Sequence, residues 1–196
     1  MKTFILALLM PVTLFAQTTV CFEIEANPNS SDAALSAFTK YVNVLGCFEI
    51  YAESSISDAK VLHAAAVAAE LLDNDEDGIV DDPLIKTQLA NSQAIMPLFA
   101  SEGSAGENSF FNNYNGDGVS AVLYSGEIDP TQPGHWGDDA TVEEIMHTIN
   151  HVGHTNVYPA AFSMAPNSSL MSAAMDVARG GQFMYPPNSY PASAWY

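Results

Sequence analysis

Positive charge is what this chain has least of: five lysines and arginines stand against 23 aspartates and glutamates in 196 residues, a formal net charge of −18. So acidic a surface repels phosphate backbones and anionic headgroups, which argues against nucleic acid and anionic membranes as partners and favours cations. Cysteine is nearly absent as well. With just Cys21 and Cys47 there is no CxxC pair for zinc or redox chemistry, so histidine and carboxylate must do any metal work. No apolar run approaches the roughly 20 residues needed to cross a bilayer, so no membrane insertion is expected. A G-x-S-x-G nucleophile turn and a phosphate-binding glycine loop are also missing, which removes two common catalytic plans.

What is present begins with a leader. Met1 and Lys2 precede an apolar stretch that runs from Phe4 past Pro11 to Phe15 and Ala16, followed by polar Gln17. A charged start, a short apolar run and a small residue for cleavage make residues 1–16 a secretory signal peptide, and the mature protein extracellular. Loss of Lys2 takes the formal charge from −18 to −19. Residues 17–196 suit one ordinary domain with its own core. An oxidising compartment favours a Cys21–Cys47 disulfide; two buried free thiols are the alternative.

The coarse pattern alternates strands and helices. Residues 18–25 and 47–52 read as strands. From Asp32, apolar Leu35, Phe38, Val42 and Leu45 recur at helical spacing, with Gly46 placed to end a helix. An alanine-rich helix follows Ser57 and Asp58, and residues 83–89 allow a short second one. A strand over 95–99 is expected to break at Pro97, and residues 100–118, rich in Gly, Ser and Asn, read as a long loop. Residues 119–128 suit a strand, 141–152 a helix, and 168–179 a further helix stopped by Gly180 and Gly181. The sum is an α+β domain, with several helices packed on a small, mainly antiparallel sheet.

The most specific segment is DNDEDGIVDD, residues 73–82, with five aspartates in ten positions. A hard cation such as Ca²⁺ takes six to eight oxygens, and a short loop supplies them from alternate side chains with a backbone carbonyl in one gap. Counting Asp73 as position 1 puts Asp75, Asp77 and Asp81 at positions 3, 5 and 9, Gly78 at the bend, and the Ile79 carbonyl at position 7. Those match the EF-hand order. Position 12, normally a bidentate glutamate, is Leu84, so the loop over 73–84 is closer to the shorter Asp-rich loops of thrombospondin type 3 repeats, with Asp82 as its closing carboxylate. The affinity expected is in the extracellular range, roughly 10⁻⁴ to 10⁻³ M. An acidic surface loop that binds nothing specifically has the same composition.

A second constellation lies in TVEEIMHTINHVGH, residues 141–154. At about 100° per residue, with His147 at zero, Glu143, Glu144 and His151 lie within about 60° of it, while Val142, Ile145, Met146, Ile149 and Val152 occupy the opposite side. Histidines four apart can share one metal, as in the HExxH zinc helix, but here Thr148 follows the first histidine and the acids stand one turn earlier. The expected zinc ligands are Glu144, His147 and His151, with Glu143 as the base activating a metal-bound water. Acids in the first turn and histidines in the last also complement the helix dipole, and Thr141 with Glu144 makes a T-x-x-E capping box, so a solvated polar face fits equally. His63 reads as a core histidine with one partner, His135 sits beside Trp136 on a turn, and Asp176 is an outlying acid.

The segments LHAAAVAAELLDNDEDG, DDATVEEIMHTINHVGH and AMDVARGGQF followed by YPASAWY together resemble a widespread family of secreted proteins that share them in this order. The resemblance implies that the acids and His147 of the EExxH part matter more than His151 and His154. It also implies that relatives run on past AWY with further cysteines and a glutamate-bearing helix. The functional expectation is a secreted calcium-binding protein with a zinc-dependent hydrolase helix of metallopeptidase type, acting on protein or peptide. The alternative is a non-catalytic extracellular calcium module for adhesion or binding.

Overall fold

The computed structural model describes residues 22–131, 139–165 and 167–178. The expected signal peptide, Cys21 with the disulfide expected of it, His135, Trp136, Arg179 and the tail lie outside the described residues. The class is α+β, as the sequence predicts, and the sheet of five strands runs in the order β1 to β5. Strands β1 (Glu25–Ala26), β2 (Phe38–Val44) and β3 (Phe48–Glu53) are antiparallel neighbours, whereas β4 (Ala94–Phe99) and β5 (Leu123–Tyr124) join in parallel, so the sheet is mixed. No described helix is long and apolar enough to cross a membrane.

The helix expected from Asp32 is a series of turns followed by β2. A β-bulge explains the mistaken period. The register of β2 on β3 shifts between Phe38 and Lys40, and the extra residue spaces the buried side chains Phe38, Tyr41, Val42 and Val44 as irregularly as a helix would. It also moves Phe38 to the face that holds Tyr41, away from Val42 and Val44. Gly46 ends no helix. With Leu45 at φ 51° and Gly46 at φ 74°, and Cys47 N–H donating to the Val44 carbonyl at 3.1 Å, the pair forms a type I′-like hairpin turn, whose two positive φ values suit glycine far better than leucine.

Alternation along the strands divides the core between two faces. Val42, Val44, Phe48, Ile50, Ala52, Ala94, Met96, Leu98 and Leu123 point to one face, where α1 (Asp58–Leu72), α2 (Pro83–Asn91) and α4 (Thr141–Thr148) cover them. Small residues Ala64, Ala65 and Ala68 on α1 let that helix lie close to the sheet. The other face carries Tyr41, Tyr51, Ile95 and Phe99, partly covered by α3 (Ala105–Asn113) through Phe110, which packs edge-on against Phe99. The chain beyond Ala100 is therefore not one long loop: Ser104 accepts from Glu107 N–H at 3.2 Å and starts α3. Pro97 does not break β4, because β5 reaches only Leu98 and Phe99 and leaves Pro97 one strand neighbour instead of two. The strand expected over 119–128 shrinks to β5, followed by a 3₁₀ turn at Ser125–Glu127.

Beyond α4 the helix continues as a π-helical stretch, Ile149–His154, then α5 (Thr155–Val157), α6 (Pro159–Phe162) and, further on, α7 (Leu170–Val177). Gly153 marks where α2 approaches: a Cβ there would stand 3.3 Å from Leu89 and 3.4 Å from Ile85.

Candidate metal centres

The Asp loop lies inside the crossover between the parallel strands β3 and β4, between the end of α1 and the start of α2. Its neck is closed by the Asp81 N–H donating to the Leu72 carbonyl at 2.9 Å, and Val80 anchors it in the core. Asp73 is 4% exposed. Its carboxylate accepts the N–H groups of Gly78 at 2.7 Å and Asp77 at 3.2 Å, folding the loop around it. Gly78 has φ 86°, the left-handed bend expected of it, and Glu76 also turns left-handed at φ 58°.

One carboxylate oxygen each from Asp73, Asp75 and Asp81 lie within 4.8 Å of one another. Asp75, though exposed, takes the repulsion: Asp77 above all, then slight desolvation, Asp73 and Asp81, push its carboxyl above the ordinary range. Asp81 is held below it by Asn74, whose side-chain amide and backbone N–H donate to Oδ2 at 2.7 and 3.1 Å. Asp77 turns Oδ1 onto the Ile79 N–H at 2.8 Å. The Ile79 side chain is exposed. Asp82, expected to close the ring, is engaged elsewhere: Oδ1 caps α2 through Leu84 N–H at 2.8 Å and Ile85 N–H at 3.3 Å, and Oδ2 accepts the Tyr158 hydroxyl at 2.6 Å. That hydroxyl, foremost, lowers the Asp82 pKa. Leu84, where an EF-hand has glutamate, is an exposed residue in the first turn of α2.

On α4 the structure brings together Glu143, Glu144 and His147, again with ligand atoms within 4.8 Å. His147 Nε2 stands 3.8 Å from Glu143 Oε1, and both side chains are more than half exposed. Burial pushes the Glu144 carboxyl up, against the pull of His147. His151 does not join the group. Between the two histidines the helix passes from α4 into a π-helical stretch that begins at Ile149, so the constant α pitch assumed for the spacing does not hold there. The capping box is absent: Ala140 occupies the N-cap position without a side-chain bond, and Thr141 is buried with its hydroxyl on Asp139 Oδ1. Glu144 is thereby left available. His154 stacks on Phe162 at 4.8 Å, and burial lowers its pKa.

One pair was only half legible. His63 Nε2 meets Asp139 Oδ2 at 2.7 Å with side chains 9% and 0% exposed, and Asp139 also accepts the N–H groups of Thr141 at 3.2 Å and Asp129 at 3.3 Å. Residues 76 apart give no local signal of such a contact. The pair ties α1 to the start of α4. No family model matches the chain, and no curated protein or solved structure matches it either.

Proposed function

We propose that this chain is a secreted calcium-binding protein whose ion sits on the Asp73, Asp75 and Asp81 carboxylates, with Asp77 and the Ile79 carbonyl completing the set. The convergence of three carboxylates between two helices, one of them buried and used to wrap the loop, supports the reading. Oxygen-only donors favour a hard ion over zinc, which prefers nitrogen and sulfur. Calcium orders the junction of α1 and α2 and performs no chemistry. Titration calorimetry in metal-free buffer tests this: one saturable event is expected with a dissociation constant of roughly 10⁻⁴ to 10⁻³ M. No heat, or an equal response in a variant with Asp73 and Asp75 both changed to Asn, refutes it.

The second reading, a zinc-dependent hydrolase of metallopeptidase type, is favoured by the grouping of Glu143, Glu144 and His147 on one exposed helix face. Zinc then rests on Glu144 and His147, His151 being the remoter of the ligands expected, and Glu143 is the base. Elemental analysis of protein purified without added metal separates the two. One equivalent of zinc, lost in His147→Ala, supports the hydrolase; calcium alone supports a non-catalytic extracellular module.

A further inference from the structure

The second face of the sheet is incompletely covered. Phe110 of α3 caps one end, over Phe38 and Phe99, but at the other end Glu49, Tyr51 and Ile95 look into a cavity of 330 Å³ bounded by the turns around Asn29 and Asp32 and by the loop after α3. A second cavity of 160 Å³, lined by Asn43 and Cys47, shares Glu49 and Gln93 with the first. The larger is within the size range of small-ligand sites.

Glu49 is built in place. Its two carboxylate oxygens accept the hydroxyls of Tyr41 at 2.9 Å and Tyr51 at 3.0 Å. Each hydroxyl in turn accepts a carboxamide, Asn43 Nδ2 at 3.2 Å and Asn29 Nδ2 at 2.8 Å. This chain of donors aims its protons at Glu49 and holds the carboxylate in one orientation. Asp32 adds a second carboxylate to the wall, and among the described residues no lysine, arginine or histidine lines either cavity. The amides of Asn29, Asn113 and Asn115 already give an N–H to protein oxygens, so what the cavity offers is mainly acceptors. Acceptors with net negative charge, beside the rings of Tyr51 and Tyr114, suit a ligand rich in donors and positively charged.

We propose that this cleft binds a small organic cation, a primary ammonium on a short carbon chain, with Glu49 as its main anchor and Asp32 as the second. The site is separate from both metal centres. The probe is 1,4-diaminobutane, titrated calorimetrically into the whole mature chain with millimolar Ca²⁺ present so that the Asp loop is not the target. One saturable site is expected, weakening as salt is raised. Glu49→Gln should weaken it about ten-fold, the loss of one charged hydrogen bond. Asp32→Asn, which keeps the oxygen that accepts from Ala34 N–H, should weaken it by about three-fold, and Asp75→Asn should leave it unchanged. Should Glu49→Gln fail to fold, Asp32→Asn and Gln93→Ala, both at exposed positions, decide. Absent heat overturns the proposal. So does equal binding by the parent and all three cleft variants, which marks adsorption to an acidic surface, displacement by further Ca²⁺, which marks a metal site, or preferential binding of glucose, which marks a neutral polyol site.

Discussion

Asp73 and Asp75 stand two residues apart in one loop, yet they should respond oppositely to the same substitution. Asp73 is buried and accepts two backbone N–H groups. Asn in its place retains one acceptor oxygen and turns an NH₂ toward a donor that then has no partner, a cost of about 1–3 kcal/mol even without metal. For a domain of this size each kcal/mol lowers Tm by about 2–4 °C, so Asp73→Asn should melt about 2–12 °C lower in chelator. Asp75 is exposed and repelled by Asp77, Asp73 and Asp81. Its folded pKa is raised, so the folded state binds protons more readily than the unfolded one, and this residue's strain is present at neutral pH and relieved as pH falls through the folded value. Asp75→Asn should therefore melt at or slightly above the parent in chelator. In calcium at ten times the dissociation constant, the parent should gain about 1.4 kcal/mol, or roughly 3–6 °C, and Asp75→Asn should gain much less. Differential scanning calorimetry of the three proteins, with chelator and with calcium, reads all six values. An Asp73→Asn melt within a degree of the parent in chelator refutes the wrapping role of Asp73, and a full calcium shift in Asp75→Asn refutes Asp75 as a ligand.

Asp139→Asn should destabilise by about 3–5 kcal/mol in urea titration, since it leaves His63, Thr141 and Asp129 around a buried group of the wrong polarity. Burial of Asp139 works against its charge, but the bonds from Thr141 and His63 outweigh it and lower its pKa. The stabilisation is therefore complete above the unfolded value of about 3.9 and is lost as pH falls through the folded one, so the parent's extra acid loss should vanish in Asp139→Asn. Gly118→Ala places a Cβ 2.0 Å from the Gln93 carbonyl oxygen and 2.6 Å from that of Ser92; backbone must shift, and a loss of more than about 2 kcal/mol is expected by urea titration. Tyr158→Phe removes the solvent-facing bond to Asp82 and should lower the urea midpoint only slightly, far less than Asp139→Asn does.

Legibility in the sequence followed the range of the signal. The helix over 58–72 and the loop after it were readable because the alanine spacing and the Asp–Gly register are local, although Ser57 makes no side-chain cap bond. The class was readable too, since strands and helices alternate in short runs. The antiparallel half of the sheet follows from a hairpin, but the parallel half depends on a crossover through α1 and α2, and nothing near Ala94 announces Phe48 as its partner. At Phe38 the bulge added a residue and imitated a helical period. In the histidine helix the spacing of four was read at a constant pitch, whereas a π-helical stretch, in which Gly153 lies close to Ile85 and Leu89, changes that pitch midway. Tertiary contacts decided each of these, and periodicity cannot see them.

The two proposed metal centres share one mechanical frame. α2 begins on Asp82, whose other oxygen holds Tyr158 just beyond α5, while Ile85 and Leu89 of the same helix press on Gly153 within the π-helical stretch. The residue that ends the Asp loop thus grips the far side of the histidine helix, and α2 fills the space between. An ion that fixes the loop fixes the start of α2 through its cap. Because cores pack densely, a helix held at its start by the cap and along its face by Ile85 and Leu89 has little freedom to pivot. On the proposal that the loop holds calcium, the ion would fix the start of α2 and, with it, the approach of Ile85 and Leu89 to Gly153. On that proposal Tyr158→Phe, which loosens the Asp82 contact at the loop's exit, should also weaken calcium binding in titration calorimetry, and an unchanged affinity would show that the cap and the loop are not coupled.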